Sequence, residues 1–273
     1  MEYIEKNNDI YIINKDFCLS ETLDCGQAFR WKQLCDEDGF EGFSGSNYLK
    51  ILNDKEYIVL KNTTREQFEN YWIDYFDLNT DYSQLKSKYS SDETLKNACE
   101  YAPGIRLLRQ DKWEALCCFI ISQNNNIPRI KGIVQRLCET FGQKTDNGYT
   151  FPSAKTIASK SVEDLAPLRA GFRGRYIFDA ATKVSSGEVD LEKISIMPYD
   201  EARAELMKIV GVGVKVADCT LLYGMYRTES FPVDVWIKRV LEKYYPNGLP
   251  KCIKGSEGIA QQYLFHYIRN LEK

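Results

Sequence analysis

The sequence predicts an α+β protein in which an N-terminal antiparallel β-sheet domain packs on a two-lobed helical domain containing a helix-hairpin-helix. Three observations carry this. Short β-rich runs separated by turn signals fill the chain up to residues 80–92, apolar residues recur at helical spacing beyond it, and two helical runs meet across a glycine pair at 211 and 213. The divide gives a sheet domain over 1–92 and a helical domain over 93–273, with the hairpin at about 200–224. A chain of 273 residues is long enough to bury a substantial core in two packed domains.

In order along the chain, I-Y-I-I (10–13), A-F-R-W (28–31), Y-L-K-I-L (48–52) and Y-I-V-L (57–60) read as strands, with D-E-D-G and S-G-S-N as turns. Residues 65–75 read as a helix beside the sheet. The run 113–121 is nearly all apolar and predicts a buried helix. Residues 127–141 are amphipathic, with Pro128 in the first turn and Ile130, Ile133, Val134, Leu137 and Phe141 on one face. Between these two helices, S-Q-N-N-N (122–126) is a polar break whose asparagines suit capping and turning.

The segment L-M-K-I-V-G-V-G-V-K-V-A (206–217) is the most informative. A helical run through Ala202, Leu206 and Ile209 stops at Gly211 and Gly213, and a second begins at Val214 and continues through Ala217, Leu221 and Leu222. Glycines there remove the side chains that would keep a phosphate oxygen from the backbone N–H groups at the second helix's start. Lys215 lies in that first turn, where its amine is either one more phosphate contact or a nucleophile toward carbon. Asp234, 19 positions later in F-P-V-D-V-W, follows Pro232 and is placed to cap a new helix. A carboxylate fixed that way is also suited to stabilise a cationic sugar or a Schiff base.

Composition limits the alternatives. The net charge is −3, but it is unevenly spread: residues 1–92 carry 10 Lys/Arg against 18 Asp/Glu, and residues 93–273 carry 26 against 21. A local basic groove and salt-sensitive nucleic-acid binding are expected, not a polybasic surface. The nine cysteines contain no C-x-x-C pair and read as reduced, buried thiols; one histidine, His266, gives no ordinary zinc site. Only Cys252 lies beyond Cys219, so no four-cysteine iron-sulfur cluster can be built there, and no metal and no cofactor are expected. The start, M-E-Y-I-E-K-N-N-D-I, has neither a basic region nor an apolar stretch, and no apolar run approaches membrane-spanning length. The expectation is a soluble intracellular monomer, cytoplasmic or nucleoid-associated (nuclear if eukaryotic), with short termini leaning toward a prokaryotic source.

G-V-G-V-K-V-A-D-C and P-V-D-V together resemble the helix-hairpin-helix, Gly/Pro-Asp superfamily of base-excision DNA glycosylases, and within it the 8-oxoguanine DNA glycosylase family. Four further segments agree in chain order: D-C-G-Q-A-F-R-W (24–31) resembles that family's base-recognition loop, S-Q-N-N-N-I-P-R-I (122–130) its wedge segment, G-F-R-G-R-Y (171–176) its second DNA-facing loop, and G-I-A-Q-Q-Y-L-F (258–265) its C-terminal pocket helix. The resemblance covers about residues 10–270.

What the resemblance implies is a bifunctional enzyme acting on double-stranded DNA that contains 8-oxoguanine. Lys215 would attack C1′ of the extruded nucleotide and Asp234 would stabilise developing positive charge, giving a Schiff base and then strand cleavage. In the lesion pocket Gly26 would present its carbonyl to the N7–H that guanine lacks, Gln261 would read the Watson–Crick edge, Phe265 would stack on the base and Cys219 would form the opposite wall. On the DNA face Asn124 would fill the vacated space, Arg129 and Arg173 would hold the orphaned base, and Gly211 and Gly213 would admit a phosphate. Two guanidinium groups suit the acceptors of cytosine, so the lesion opposite cytosine is the expected context. Phe172 stands where the family commonly has tyrosine, and Trp236 where a histidine touches phosphate, which loosens the expected partner-base discrimination. From the residues alone, Phe172 and Trp236 can also be core, Cys219 a structural thiol, Gln261 solvated, Phe265 core and Gly26 an ordinary loop glycine. Two rivals stay open: an alkylated-purine glycosylase of the same superfamily, and a non-catalytic helix-hairpin-helix DNA-binding protein.

Overall fold

The computed structural model describes residues 2–271 and places six antiparallel strands in the order β1-β2-β6-β5-β4-β3. They are β1 (Tyr3–Lys6), β2 (Asp9–Ile13), β3 (Trp31–Gln33), β4 (Gly39–Ser44), β5 (Asn47–Asp54) and β6 (Tyr57–Lys61), with the short helix α1 (Leu19–Leu23) between β2 and β3. Three of the expected strands form as read. The fourth is corrected: of A-F-R-W only Trp31 is in a strand, and Ala28, Phe29 and Arg30 belong to a loop. Their side chains are claimed by the helical body, Phe29 by an edge contact with Phe119 and Arg30 by a buried ion pair with Glu114. β1 and β4 went unread. β4 holds two glycines that weaken its strand signal, yet a Cβ at Gly39 or Gly42 would lie 2.3 Å from the Ile51 carbonyl or 2.5 Å from the Arg30 carbonyl.

The helix beside the sheet is α2 (Arg65–Gln67) and α3 (Ile73–Tyr75), joined through a π-helical turn at Phe68–Trp72. It opens on a reciprocal cap: Thr64 Oγ1 accepts from Gln67 N while Gln67 Oε1 accepts from Thr64 N. Phe68, Trp72, Tyr75 and Phe76 pack with Trp31, Ile51 and Leu60 in the core under the sheet.

The helical body comprises α4 (Tyr82–Tyr89), α5 (Glu93–Tyr101), α6 (Lys112–Ser122), α7 (Ile127–Phe141), α8 (Ala154–Ala158), α9 (Arg173–Ser186), α10 (Leu191–Ile196), α11 (Tyr199–Leu206), α12 (Val214–Met225), α13 (Val235–Tyr244) and α14 (Glu257–Leu271), with a small hairpin of β7 (Lys144–Thr145) and β8 (Gly148–Tyr149). α6 is the centre of this body, buried on all sides from Trp113 to Ile121 as its unbroken apolar run predicts. Asn126 caps α7 by accepting from Arg129 N. Tyr82 and Tyr89 of α4 pack into the helical core, while Leu78 belongs to the sheet core. We therefore propose that the domain divide falls between 78 and 82, short of the expected residue 92.

One polar strut joins the two parts. The Arg30 guanidinium donates to Glu114 (3.1 Å), to the Gly45 carbonyl (2.8 Å) and to the Tyr149 carbonyl (2.6 Å), between the rings of Phe43 and Phe151. Glu114 also accepts from Gly45 N (2.7 Å). Sheet, hairpin and α6 are thereby fixed by one buried pair in which both charges also hold backbone partners. Among the described residues no helix is long and apolar enough to cross a membrane, and no group of three or more His, Cys, Asp or Glu could hold a metal ion.

Candidate active site

The hairpin is held by α9 along one of its faces. α11 ends at Leu206, and the turn up to Gly213 is pinned where Asp179 accepts from Val210 N (2.7 Å) and where Lys183 donates to the Lys208 carbonyl (2.6 Å). Gly211 adopts φ +80°, and a Cβ there would stand 2.2–2.5 Å from ring atoms of Tyr176. Gly213 differs: it is exposed, caps α12 without a side chain, and has open space where a Cβ would be. The first N–H groups of α12 thus face outward beside exposed Val210 and Val214, a surface able to take a phosphate oxygen.

Lys215 points back from that edge into the body. Its half-buried Nζ donates to Ser122 Oγ (3.3 Å) and lies 5.4 Å from the centroid of the Phe119 ring, both on α6. Cys219, one turn on, is buried, and burial pushes its thiol up to about 11; the Lys215 ammonium opposes that shift and the Asp234 carboxylate adds to it. Lysine and aspartate thus both lie within electrostatic reach of one buried thiol. Asp234 caps α13 through a single oxygen, Oδ1 accepting from Trp236 N (3.0 Å) and Ile237 N (2.9 Å). Among the described residues Oδ2 accepts no hydrogen bond.

The remaining inward-facing candidate residues come from α14 and the 24–27 loop. Gln261, 4 % exposed, donates Nε2 to the Pro232 carbonyl (3.2 Å), tying α14 to the segment that carries Asp234. Its Oε1 is buried without a partner among the described residues, an acceptor that a ligand donor would satisfy. Gly26 has φ +94°, and a Cβ on it would lie 3.0 Å from Ile127 Cδ1, 3.2 Å from Arg269 Nη1 and 3.6 Å from Phe265 Cε1. The loop glycine and the pocket-helix phenylalanine are thus neighbours, although 239 positions of chain separate them. Among the described residues no donor engages the Gly26 carbonyl. Cys25 beside it is deeply buried: Gln27 Nε2 (3.3 Å) and Gln262 Nε2 (3.2 Å) both reach its sulfur, and Gln262 accepts from the Tyr223 hydroxyl of α12 (2.5 Å). A continuous polar chain therefore runs from the lysine-bearing helix through α14 to the loop.

The remaining site residues lie at the surface, with one exception. Asn124 is exposed in the left-handed conformation (φ +46°), Arg129 is exposed, and Phe172 is 44 % exposed with its ring edge-on to Tyr176. Trp236 is half-buried under the guanidinium of Arg239 (4.7 Å). Arg173 is the exception. It is 3 % exposed and its donors are taken by backbone: the Gln123 carbonyl from Nε (2.8 Å) and Nη2, the Asn124 carbonyl from Nη2 (2.8 Å) and the Ala170 carbonyl from Nη1 (3.2 Å). In this structure Arg173 is a strut under the Asn124 turn, where two adjacent carbonyls meet a guanidinium that burial would otherwise strand. Burial first, and then the charge of Arg129, lower its affinity for the proton.

Sequence reasoning missed Ser122 as the partner of Lys215, and Ile127 and Arg269 against Gly26. The periodicity of α14 holds a signal for the last, since Arg269 follows Phe265 by four and so shares its face.

Against known proteins, residues 10–116 match the family model of the 8-oxoguanine DNA glycosylase N-terminal domain, and residues 117–251 match that of the HhH-GPD superfamily of base excision DNA repair proteins. A probable N-glycosylase/DNA lyase of Methanothermobacter thermautotrophicus is 34 % identical over 225 residues, spanning 73 % of this chain and 70 % of that protein. Over the whole of both chains the fold matches MBOgg1 in complex with a low affinity DNA ligand, with a TM-score of 0.93 and 40 % identity. It also matches the Clostridium acetobutylicum 8-oxoguanine glycosylase/lyase bound to double-stranded DNA with cytosine opposite 8-oxoguanine, with a TM-score of 0.93 and 34 % identity over 100 % of this chain and 99 % of that one.

Proposed function

This chain belongs to the 8-oxoguanine DNA glycosylase family of the HhH-GPD superfamily, and from that premise we propose that it excises 8-oxoguanine opposite cytosine in duplex DNA and then cleaves the strand. Of all the observations, the inward turn of Lys215, whose Nζ donates to Ser122 Oγ, together with Asp234 fixed at the start of α13, supports this reading most.

The chemistry follows from the placements. The hairpin grips phosphate at Gly213, with Gly211 packing the turn on Tyr176, Phe172 enters the base step, Asn124 fills the gap, and the orphaned cytosine is held by Arg129, with Arg173 fixing the turn beneath Asn124. The everted purine lies between Phe265 and the Cys219 wall, its Watson–Crick edge toward Gln261. 8-Oxoguanine donates N7–H to the Gly26 carbonyl; guanine has a lone pair there, and two acceptors face each other, which costs about 1–3 kcal/mol.

Lys215 as the free amine attacks C1′ of the deoxyribose. A bond forms from Nζ to C1′, and the N-glycosidic electron pair leaves with the purine, which takes up a proton. The Asp234 carboxylate, its orientation fixed by two backbone N–H groups, stabilises the positive charge that builds on the sugar. Ring opening gives the Schiff base, and loss of a C2′ proton then expels the 3′ phosphate by β-elimination. DNA as the substrate implies a cellular location with the chromosome, and Trp236 would rest against the backbone near Asp234.

Borohydride reduction in the presence of a duplex carrying 8-oxoguanine opposite cytosine tests the assignment. A covalent protein–DNA adduct that disappears in Lys215→Gln is expected. Base release without an adduct would assign the chain to the alkylated-purine type of chemistry, and binding with neither would leave a DNA-binding module.

A further inference from the structure

Resting on the proposed lesion pocket, we infer that Arg269 is a positioning residue for lesion recognition: it clamps the 25–26 peptide so that the Gly26 carbonyl faces the base. Arg269 Nη1 donates to the Cys25 carbonyl at 3.2 Å, bridging residues 244 positions apart. It is the one donor that this carbonyl receives among the described residues. The same Nη1 lies 3.2 Å from where a Gly26 Cβ would be, and the guanidinium carbon is 5.7 Å from the centroid of Phe265, one turn back on α14.

Three features separate this from a surface arginine leaning on the nearest oxygen. Arg269 has no carboxylate partner among the described residues, so its charge is not spent in an ion pair. The Cys25 side chain is already held by Thr22, Gln27 and Gln262, and Arg269 adds a hold on the peptide plane that leads into Gly26. Gly26 at φ +94° follows directly, so holding the Cys25 carbonyl fixes the plane from which the Gly26 dihedrals aim its own carbonyl. A planar guanidinium resting on the ring that would stack the base, and bonded to the loop that would read it, sets the two elements at a fixed separation.

The test compares two reactions of the same protein. Single-turnover excision from a duplex with 8-oxoguanine opposite cytosine needs the loop; borohydride trapping on a duplex with a preformed abasic site needs Lys215 but has no base to read. Arg269→Ala should slow excision about tenfold, the effect of one charge-assisted hydrogen bond, with abasic-site trapping within about twofold of wild type. Arg269→Lys, which keeps one donor for the Cys25 carbonyl, should recover most of the excision rate. Equal loss of both reactions, unchanged excision in Arg269→Ala, or an Arg269→Lys rate no better than Arg269→Ala would each overturn the clamp. Wild-type protein that releases no 8-oxoguanine at all would overturn the functional assignment along with it.

Discussion

Replacing each hairpin glycine by alanine should give two different phenotypes. Gly211 sits at φ +80°, where an L side chain costs about 1–2 kcal/mol. Its new methyl would lie 2.2–2.5 Å from Tyr176 ring carbons, well inside contact distance, and displacing the ring or the turn adds about 1–3 kcal/mol. The total of about 2–5 kcal/mol corresponds to a Tm lowered by about 5–15 °C in a chain of this size. Gly213 is at φ −101° with nothing within 4 Å of the added carbon. Loss of a glycine cap there is offset by the lower entropy of the unfolded chain, and the Tm should stay within about 2 °C. Its methyl would nevertheless stand where a phosphate oxygen approaches the α12 N–H groups. DNA affinity of Gly213→Ala should therefore fall about tenfold at low salt, with the slope of log K against log salt little changed because no cation is removed. Thermal unfolding, with fluorescence anisotropy on a duplex at about 50 and 200 mM salt, reads both. A Gly213→Ala protein that melts far below wild type, or a Gly211→Ala protein that melts with it, would refute the distinction between a packing glycine and a contact glycine.

Three further outcomes follow from the structure. Asp234→Asn keeps an oxygen for the Trp236 and Ile237 amides, so stability should change by about 1 kcal/mol or less while single-turnover excision drops at least about a hundredfold; a large loss of Tm would show that the carboxylate charge serves the fold instead. Arg30→Ala leaves Glu114 buried without its cation and should cost about 3–5 kcal/mol in denaturant unfolding, whereas a near-neutral effect would mean that water reaches the carboxylate. Burial pushes the thiols of Cys25, Cys99 and Cys138 up to about 12 and that of Cys219 to about 11, against 9.0 for the free group, so the unfolded chain loses these protons first. Their contribution to stability is complete below about pH 9 and is lost as the pH rises toward 11–12; Tm should fall across that window, and a flat Tm from pH 8 to 11 would contradict the burial.

The parts legible in the sequence were those whose causes are local. β2, β5 and β6 carry β-branched and aromatic runs between turn residues, and α6 and α7 declare themselves by an unbroken apolar stretch and by 3.6-residue spacing. The 28–31 run shows the limit: its aromatic pattern looks like a strand, but Phe29 and Arg30 are held by Phe119 and Glu114, which lie far along the chain. Lys215 and Asp234 could be singled out because a glycine-flanked helix start and a proline-preceded cap are local signatures. Arg173 could not be placed, since an arginine after glycine and phenylalanine gives no hint that it will be buried against the carbonyls of Gln123 and Asn124. Arg269 could be put on the Phe265 face by its spacing of four, but not paired, since its partner is a backbone oxygen, which has no residue identity to read.

The lysine and the aspartate are separated by 19 residues, but the purine-holding wall also needs the 24–27 loop and the final helix, α14. A ribosome-bound chain that has released everything through Asp234 already has its reactive amine and its carboxylate, and still has no place for a base. Only when Tyr263, Leu264 and Ile268 seat in the core do Gln261 and Phe265 arrive opposite the loop. The reading of a base is thereby completed only by a helix that follows both reactive residues in the chain.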